Sequence, residues 1–350
     1  MSHFIGIDIH RKYIVACVMD ERGTVARSER ISLEDLDELV EFFSGFAPGT
    51  QVVLEATMGW MWLTDLLEAM GLKVTLAHMK GVRVIAESRC KTDKIDARTL
   101  ADLLRTNYLP AAYLAPAEVR DSRMVLGHRQ ALVKWRTAAK NCVHAILVRH
   151  NVHPGMSDIF GAKGMEMLRG LDVPEPARLV LDSLLECIEF ENGQIKKLQK
   201  ELKRWLGPDR RVAILTSLPG VGELTAQFLI AEIGTIERFV SPAKLVSYCG
   251  LCPSTHQSGE RTSHGKVAGG GRSLLKWSLI EAAHTAVMRE SYFASLFHRT
   301  ARRKGSSKAY VAVAHAMAEI LWQMLKEERP YRPKMKRTQV GSGAPMTVHA

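Results

Sequence analysis

A single carboxylate set into an apolar strand constrains this chain more than any other feature. Phe4-Ile5-Gly6-Ile7-Asp8-Ile9 reads as a buried strand, and a charged side chain in its middle is costly unless something pairs with it. A divalent metal is the commonest reason to keep such a group, so Asp8 is read as the first of a carboxylate set. Its partners should be distant in sequence and gathered by the fold. Glu55, Asp93 and Asp96 are the candidates before residue 100.

The pattern around that strand predicts an α/β domain. Tyr13 to Met19 and Thr24 to Ile31 read as two further strands joined by the turn Asp20-Glu21-Arg22-Gly23. Ser32 then reads as the cap of a helix with Leu36, Leu39, Val40 and Phe43 at helical spacing. A strand Gln51 to Glu55, a helix near Met61 to Met70, a strand Lys73 to Ala77 and a helix around Val82 to Ser88 follow. Three strands, a helix, then alternating strands and helices is the order of the ribonuclease-H-like fold, in which Asp8 and Glu55 can be neighbours. Lys91 to Arg98 opens the next helix. Its spacing puts Asp93 and Asp96 on one face, with Ile95, Leu100 and Leu103 on the buried side. Such carboxylates hold one or two magnesium ions at a phosphodiester, and magnesium needs no histidine. His10 should share a sheet face with Asp8 but is read as a bystander.

Beyond residue 108 the pattern turns helical and basic. Ala117 to His150 interleaves Arg120, Arg123, Arg129, Lys134, Arg136 and Lys140 with apolar positions, as a helix facing nucleic acid would. Glycines 155, 161, 164 and 170 mark a loop-rich break. Pro176 to Leu206 carries the apolar stripe Leu181, Leu184, Leu185, Ile188, Ile195, Leu198, Leu202 and Trp205, long enough for a coiled coil. Pro219-Gly220-Val221-Gly222 resembles a helix-hairpin-helix turn whose glycines let backbone N–H groups approach a phosphate. Helices are expected at Leu224 to Ile233, Pro242 to Cys249, Ser273 to Arg289 and Lys308 to Glu327. Residues 250–272 are polar, Gly-rich and basic, as a mobile active-site loop would be, with Arg261, Lys266 and Arg272 able to hold a phosphate. The expected divisions are an α/β domain at 1–108, a basic helix and coiled coil at 109–208, a mostly helical domain at 209–328 and a disordered basic tail at 329–350.

Charge distribution agrees with that division. Residues 1–105 carry 13 basic and 16 acidic side chains, whereas 299–350 carry 11 and 3, within a formal net charge of +11. Acids at one end suit metal chemistry, and a basic middle and tail suit phosphate backbones. Cys249 and Cys252 form a CxxC followed by His256 and His264, read as buried small apolar residues in preference to zinc ligands. No apolar run reaches the roughly 20 residues that span a bilayer and no signal peptide is evident, so a cytoplasmic protein with no membrane partner is expected.

Five motifs in order then resemble a known family. Gly6-Ile7-Asp8, Leu54-Glu55-Ala56-Thr57, Lys91-Thr92-Asp93-Lys94-Ile95-Asp96-Ala97, Leu218-Pro219-Gly220-Val221-Gly222 and Gly250-Leu251-Cys252-Pro253 with Ser258-Gly259 are similar to the DEDD transposases of bacterial insertion sequences, relatives of the Piv site-specific DNA invertases. The resemblance covers roughly residues 3 to 325. It implies a RuvC-like N-terminal domain with Asp8, Glu55, Asp93 and Asp96 as magnesium-binding catalytic acids, a coiled-coil middle, and a C-terminal domain with a nucleophilic serine at Ser258. Ser254, Thr255 and Ser263 stand beside Ser258 as other candidates. It further implies double-stranded DNA as substrate, a structured non-coding bridge RNA that guides it, homodimers paired into tetramers, and association with the nucleoid. Met58 ahead of Gly59 departs from the family's usual Glu-Ala-Thr-Gly.

Three alternatives compete. A RuvC-like hydrolytic nuclease or junction resolvase would use the same acids with water as the nucleophile and no covalent adduct. A sugar kinase or ATPase also opens on Gly-Ile-Asp, but Ile9-His10-Arg11-Lys12 lacks its Gly/Thr-rich phosphate turn. A non-catalytic binding protein would leave the aligned acids without a purpose.

Overall fold

The computed structural model of the protein describes residues 2–57, 59–85, 92–206, 208–258, 261–267 and 273–333, and for 253–258, 261–267 and 273 the backbone alone. Two compact units, Met1–Ala117 and Glu118–Ala350, divide the chain.

The first unit is built on a six-stranded mixed sheet in the order β3-β2-β1-β4-β5-β6. β1 (Phe4–Ile9), β2 (Tyr13–Met19) and β3 (Val25–Ser32) form an antiparallel meander, and β4 (Gln51–Glu55) and β5 (Lys73–Ala77) run parallel to β1. The two-residue β6 (Ala111–Ala112) closes the far edge antiparallel to β5. Alternation along β1 decides what each face does. Ile5, Ile7 and Ile9 join one core with Leu39, Phe42 and Phe43 of α1 (Leu36–Ser44) and Leu63 and Leu67 of α2 (Trp60–Ala69). Gly6 and Asp8 belong to the other face. After α3 (Met79–Ile85), α4 (Asp93–Arg105) crosses that face and packs on β1, β2 and β4.

Gly6 makes this packing possible. A Cβ there would lie 2.0 Å from Ala97 O and 2.6 Å from Ala101 N, so the helix backbone rests directly on the strand. The helix after β3 corrects the sequence reading. β3 runs through Ser32, and the cap is Asp35, whose carboxylate accepts from the N–H groups of Asp37 and Glu38. With that later start Leu36 and Val40 are exposed, and Phe42 takes the buried position.

Among the described residues, the regular structure of the second unit is helical apart from one hairpin. α5 (Ala117–Arg149) and α7 (Glu175–Leu206) run antiparallel: Leu126 shares a cluster with Leu202, and Val143 and Leu147 share another with Leu181, Leu185 and Ile188. α7 has the expected stripe, but Trp205 is exposed. The break between these helices is not all loop, since α6 (Ala162–Arg169) fills it. Gly164 allows α6 to touch the backbone of Ile159, where a Cβ would lie 2.3 Å from Ile159 O.

α8 (Arg210–Thr216), α9 (Glu223–Ile233), a 3-10 turn at Ile236–Arg238 and α10 (Pro242–Tyr248) lead to the hairpin of β7 (Pro253–Ser258) and β8 (Arg261–Val267). α11 (Ser273–Arg289), α12 (Ser291–Lys304) and α13 (Ser306–Lys326) complete the unit. Two expectations are corrected here. Much of 250–272 is an antiparallel hairpin, and α12, unmarked in the sequence reading, precedes α13. Gly220, φ +87°, serves packing: a Cβ would lie 2.1 Å from Ala282 O in α11. The start of the tail is also held, because Tyr331 N–H donates to Ser217 Oγ at 2.8 Å and the Tyr331 ring stacks on Phe293. Residues 334–350, with Lys334, Lys336 and Arg337, lie outside the described residues.

Two glycine substitutions should have opposite effects. Gly6→Ala forces a Cβ into a helix backbone that cannot yield locally, so it should destabilise the first unit by about 3 kcal/mol. Gly193→Ala, inside α7 with nothing within 4 Å of the added carbon, should stabilise by about 0.5–1 kcal/mol. Denaturant melts of both variants check the pair. A neutral Gly6→Ala would mean that α4 does not bear on β1 at this point.

Candidate metal centre

The first turn of α4 meets the end of β1. Thr92 caps α4 by accepting from Ile95 N–H at 3.4 Å, which puts Asp93 and Asp96 in the turn where the helix dipole favours negative charge. On the strand Asp8 is buried, with 8% of its surface exposed. The parallel register pairs Ile7 with Leu54, so Glu55 ends β4 in the row next to Asp8.

His10 links the two elements. Its Nε2 lies 3.1 Å from Asp8 Oδ2 and 3.2 Å from Asp93 Oδ2. Ligand atoms of Asp8, His10 and Asp93 all lie within 4.8 Å of one another, a set able to hold a metal ion. Tyr13 supports it from β2: its hydroxyl donates to Asp93 Oδ2 at 3.0 Å, and its ring stacks on His10 with centroids 4.6 Å apart. The Arg30 guanidinium sits 3.6 Å from the Tyr13 ring centroid. His10, read from the sequence as a bystander, is in contact with two of the expected acids. Strand alternation had put His10 on the Asp8 face, but the contribution of Tyr13 and Arg30 follows from a β2–β3 register that spacing does not show.

Electrostatics at Asp8 favour a cation. Burial pushes its carboxyl above the usual range, the His10 contact pulls it down, and the charges of Asp96 and Asp93 push it up again. The Tyr13 phenol is raised, chiefly by its bond to Asp93. A buried carboxylate facing two others cannot readily ionise without a compensating positive charge. Carboxylate oxygens in this arrangement suit a hard divalent cation, with the imidazole beside them. Asp96 acts on Asp8 through its charge, and neither it nor Glu55 belongs to the tight set of three.

Several of the basic residues of α5 expected to face nucleic acid are buried or make internal contacts. Arg120 is buried, and Arg123 donates to Ala231 O at 2.7 Å and Glu232 O at 2.9 Å, satisfying carbonyls in the last turn of α9. Arg136 donates to Asn192 Oδ1 across the α5–α7 pair, and Lys140 lies over the Phe160 ring. Burial lowers the Arg129 guanidinium, and the charge of Arg136 adds to the effect. Lys134 is exposed.

Ser258 is the last residue of β7 and pairs with Arg261, the first of β8; Lys266 follows in β8. Arg272 lies outside the described residues. Cys249 is buried in the second unit's core, and burial pushes its thiol up to about 12.

Known proteins match both units. A family profile described as a DEDD transposase of the IS110 type matches residues 5–152, and one described as the IS116/IS110/IS902 transposase family matches residues 212–298. The transposase for insertion sequence element IS1111A of Coxiella burnetii is 27% identical over 339 residues, covering 94% of this chain and 91% of that protein. The transposase for insertion sequence element IS1328 of Yersinia enterocolitica is 25% identical over 331 residues, covering 91% and 95%. A pilin gene-inverting protein of Moraxella bovis is 26% identical over 126 residues, covering 35% of this chain and 39% of that one. Both halves are thus matched in order by transposase families, with an acidic cluster in the first, and the chain is similar nearly end to end to insertion-sequence transposases, enzymes that cut and rejoin DNA.

Proposed function

We propose that the protein is an insertion-sequence recombinase whose RNase H-like, RuvC-like first unit works with a serine of the second unit. The convergence of Asp8 and Asp93, from elements 85 positions apart, on one histidine carries this reading. The strand order, with an antiparallel meander beside two parallel strands, supports the fold assignment. Asp8, Glu55, Asp93 and Asp96 are the residues that would hold magnesium. When bound, the ion supplies Lewis-acid polarisation of a phosphodiester.

The chain's own groups perform the remaining steps. Tyr13 and His10 hold the Asp93 and Asp8 carboxylates in place. The Ser258 hydroxyl attacks the phosphorus and loses its proton; the bond to the leaving sugar oxygen breaks, and that oxygen takes up a proton. A phosphoserine ester and a free DNA hydroxyl result, and attack of a hydroxyl on the ester reverses the step and rejoins the strand. Arg261, Lys266 or Arg272 would offset charge on the phosphorane-like transition state. A structured non-coding RNA from the element would carry sequence information by base pairing, which leaves backbone contacts to the protein. Dimers paired into tetramers would jointly supply acids and serines, and DNA-bound protein would sit with the nucleoid.

Metal binding has a signature apart from activity. Because Asp8 is raised in the folded chain, its ionisation costs stability as the pH climbs from the usual carboxylate range through that raised value. At pH 7 without metal, Asp8→Asn should therefore melt at or above the wild-type temperature. Millimolar Mn2+ or Mg2+ should raise the wild-type melting point by several degrees and leave the variant unmoved. A wild-type melting point indifferent to both ions would refute the metal centre.

The chemistry is tested by incubating protein, element RNA and magnesium with DNA carrying the element junction and a target. A covalent protein–DNA adduct mapped to Ser258, lost in Ser258→Ala and in Asp8→Ala, is expected. Cleavage without an adduct, undiminished in Ser258→Ala, would make this a hydrolytic nuclease instead.

A further inference from the structure

The corner where α12 meets α13 has a role that neither the acids nor the serine explains. From Ser291 to Ala318 the sequence has five Lys and Arg residues, Arg299, Arg302, Arg303, Lys304 and Lys308, and no Asp or Glu. All five are exposed, and none has an ion pair among the described residues. This contrasts with α5, whose arginines are largely spent on internal contacts. Positions 299, 302 and 303 share one helix face, spread over about 6 Å of axis. Lys304 and Lys308 flank Gly305, whose φ of +84° turns the chain into α13. No side chain caps the first N–H groups of α13, which adds donors to the same corner.

The mounting is rigid. Phe293 is fully buried, and Phe297 packs on Tyr310 at 4.5 Å, so the apolar side of α12 is fixed against α13. Helix dipole effects account for cations in the last turn of α12 but not for Arg299 one turn earlier or Lys308 in the next helix.

We infer that this corner docks the sugar-phosphate backbone of double-stranded DNA. Charge complementarity selects a polyanion, and the aromatic residues select the kind. Surfaces for single strands interleave exposed rings with cations so that bases can stack. Here the rings of Phe293, Phe297 and Tyr310 pack inward, and among the described residues no large apolar side chain is exposed in α12 or α13. What remains is backbone chemistry, blind to sequence and suited to a paired duplex. The inference rests on the family's action on DNA and is independent of the metal and serine chemistry.

The test uses full-length protein in EDTA, so no cleavage enters, and measures anisotropy of labelled 30-base-pair duplexes of unrelated sequence, and of a labelled hairpin RNA, across a salt series. Combined Arg299→Ala, Arg302→Ala and Arg303→Ala should weaken binding at least tenfold, equally for each duplex. The slope of log K against log salt should flatten by about 2–3. The three Arg→Lys changes should restore the slope, which separates lost charge from lost fold. Removing equal charge from exposed positions of α7, with Lys196→Ala, Lys197→Ala and Lys200→Ala, should leave it intact. An unchanged slope in the arginine variant, an equal loss in the α7 variant, or a loss confined to a hairpin RNA would overturn the assignment.

Discussion

The contact of α4 with the backbone of β1 at Gly6 is the constraint on which the rest of the first unit depends. A strand and a helix normally stand apart by the depth of their side chains, and the missing Cβ removes that spacer. The helix then lies low enough for its acidic first turn to reach the next inward position of the strand, which is Asp8. One glycine thus couples the packing of the sheet to the position of two carboxylates. The opposite face of β1 supplies the stability: Ile5, Ile7 and Ile9 are buried against α1 and α2, which offsets the unfavourable placement of a carboxylate in the same strand.

Around this contact the side chains form a chain of support. Arg30 lies on Tyr13, Tyr13 lies on His10 and bonds Asp93, and His10 touches both acids. Each link comes from a different position in the β1–β2–β3 meander. Positioning of this kind matters for phosphoryl chemistry, where most of the barrier is lowered by orientation and fixed charge. In the second unit positive charge is divided between two uses. The α5 arginines brace α9 and α7 from inside, while those at the α12–α13 corner have no ion pair among the described residues.

Much of this was legible in the sequence because the relevant signals are local. Alternation and β-branched content located β1 to β5 nearly to the residue, and the spacing of Asp93 and Asp96 against Ile95, Leu100 and Leu103 located α4. The convergence of Asp8 and Asp93 could be anticipated from strand and helix order alone. What stayed hidden depends on register or on distant partners. Ser32 and Asp35 are both good caps, and pairing of Ser32 with Tyr13 across the sheet decides between them. The hairpin of β7 and β8 is rich in Ser, Thr, His and Gly, which reads as loop until cross-strand pairing is known. An exposed arginine and a bracing one look alike in a helical repeat, so Arg123 was assigned to nucleic acid although its partners are carbonyls more than a hundred residues away. Magnesium's preference for oxygen ligands draws no attention to His10, and its contacts with Asp8 and Asp93 emerge only from the fold.

The most direct test of this account is a crystal of the protein soaked in Mn2+, with anomalous difference density collected at the manganese edge. The account predicts a peak bound by carboxylate oxygens of Asp8 and Asp93, with Tyr13 still donating to Asp93. No peak there, or a peak held by other residues while His10 still bridges the two acids, would contradict it.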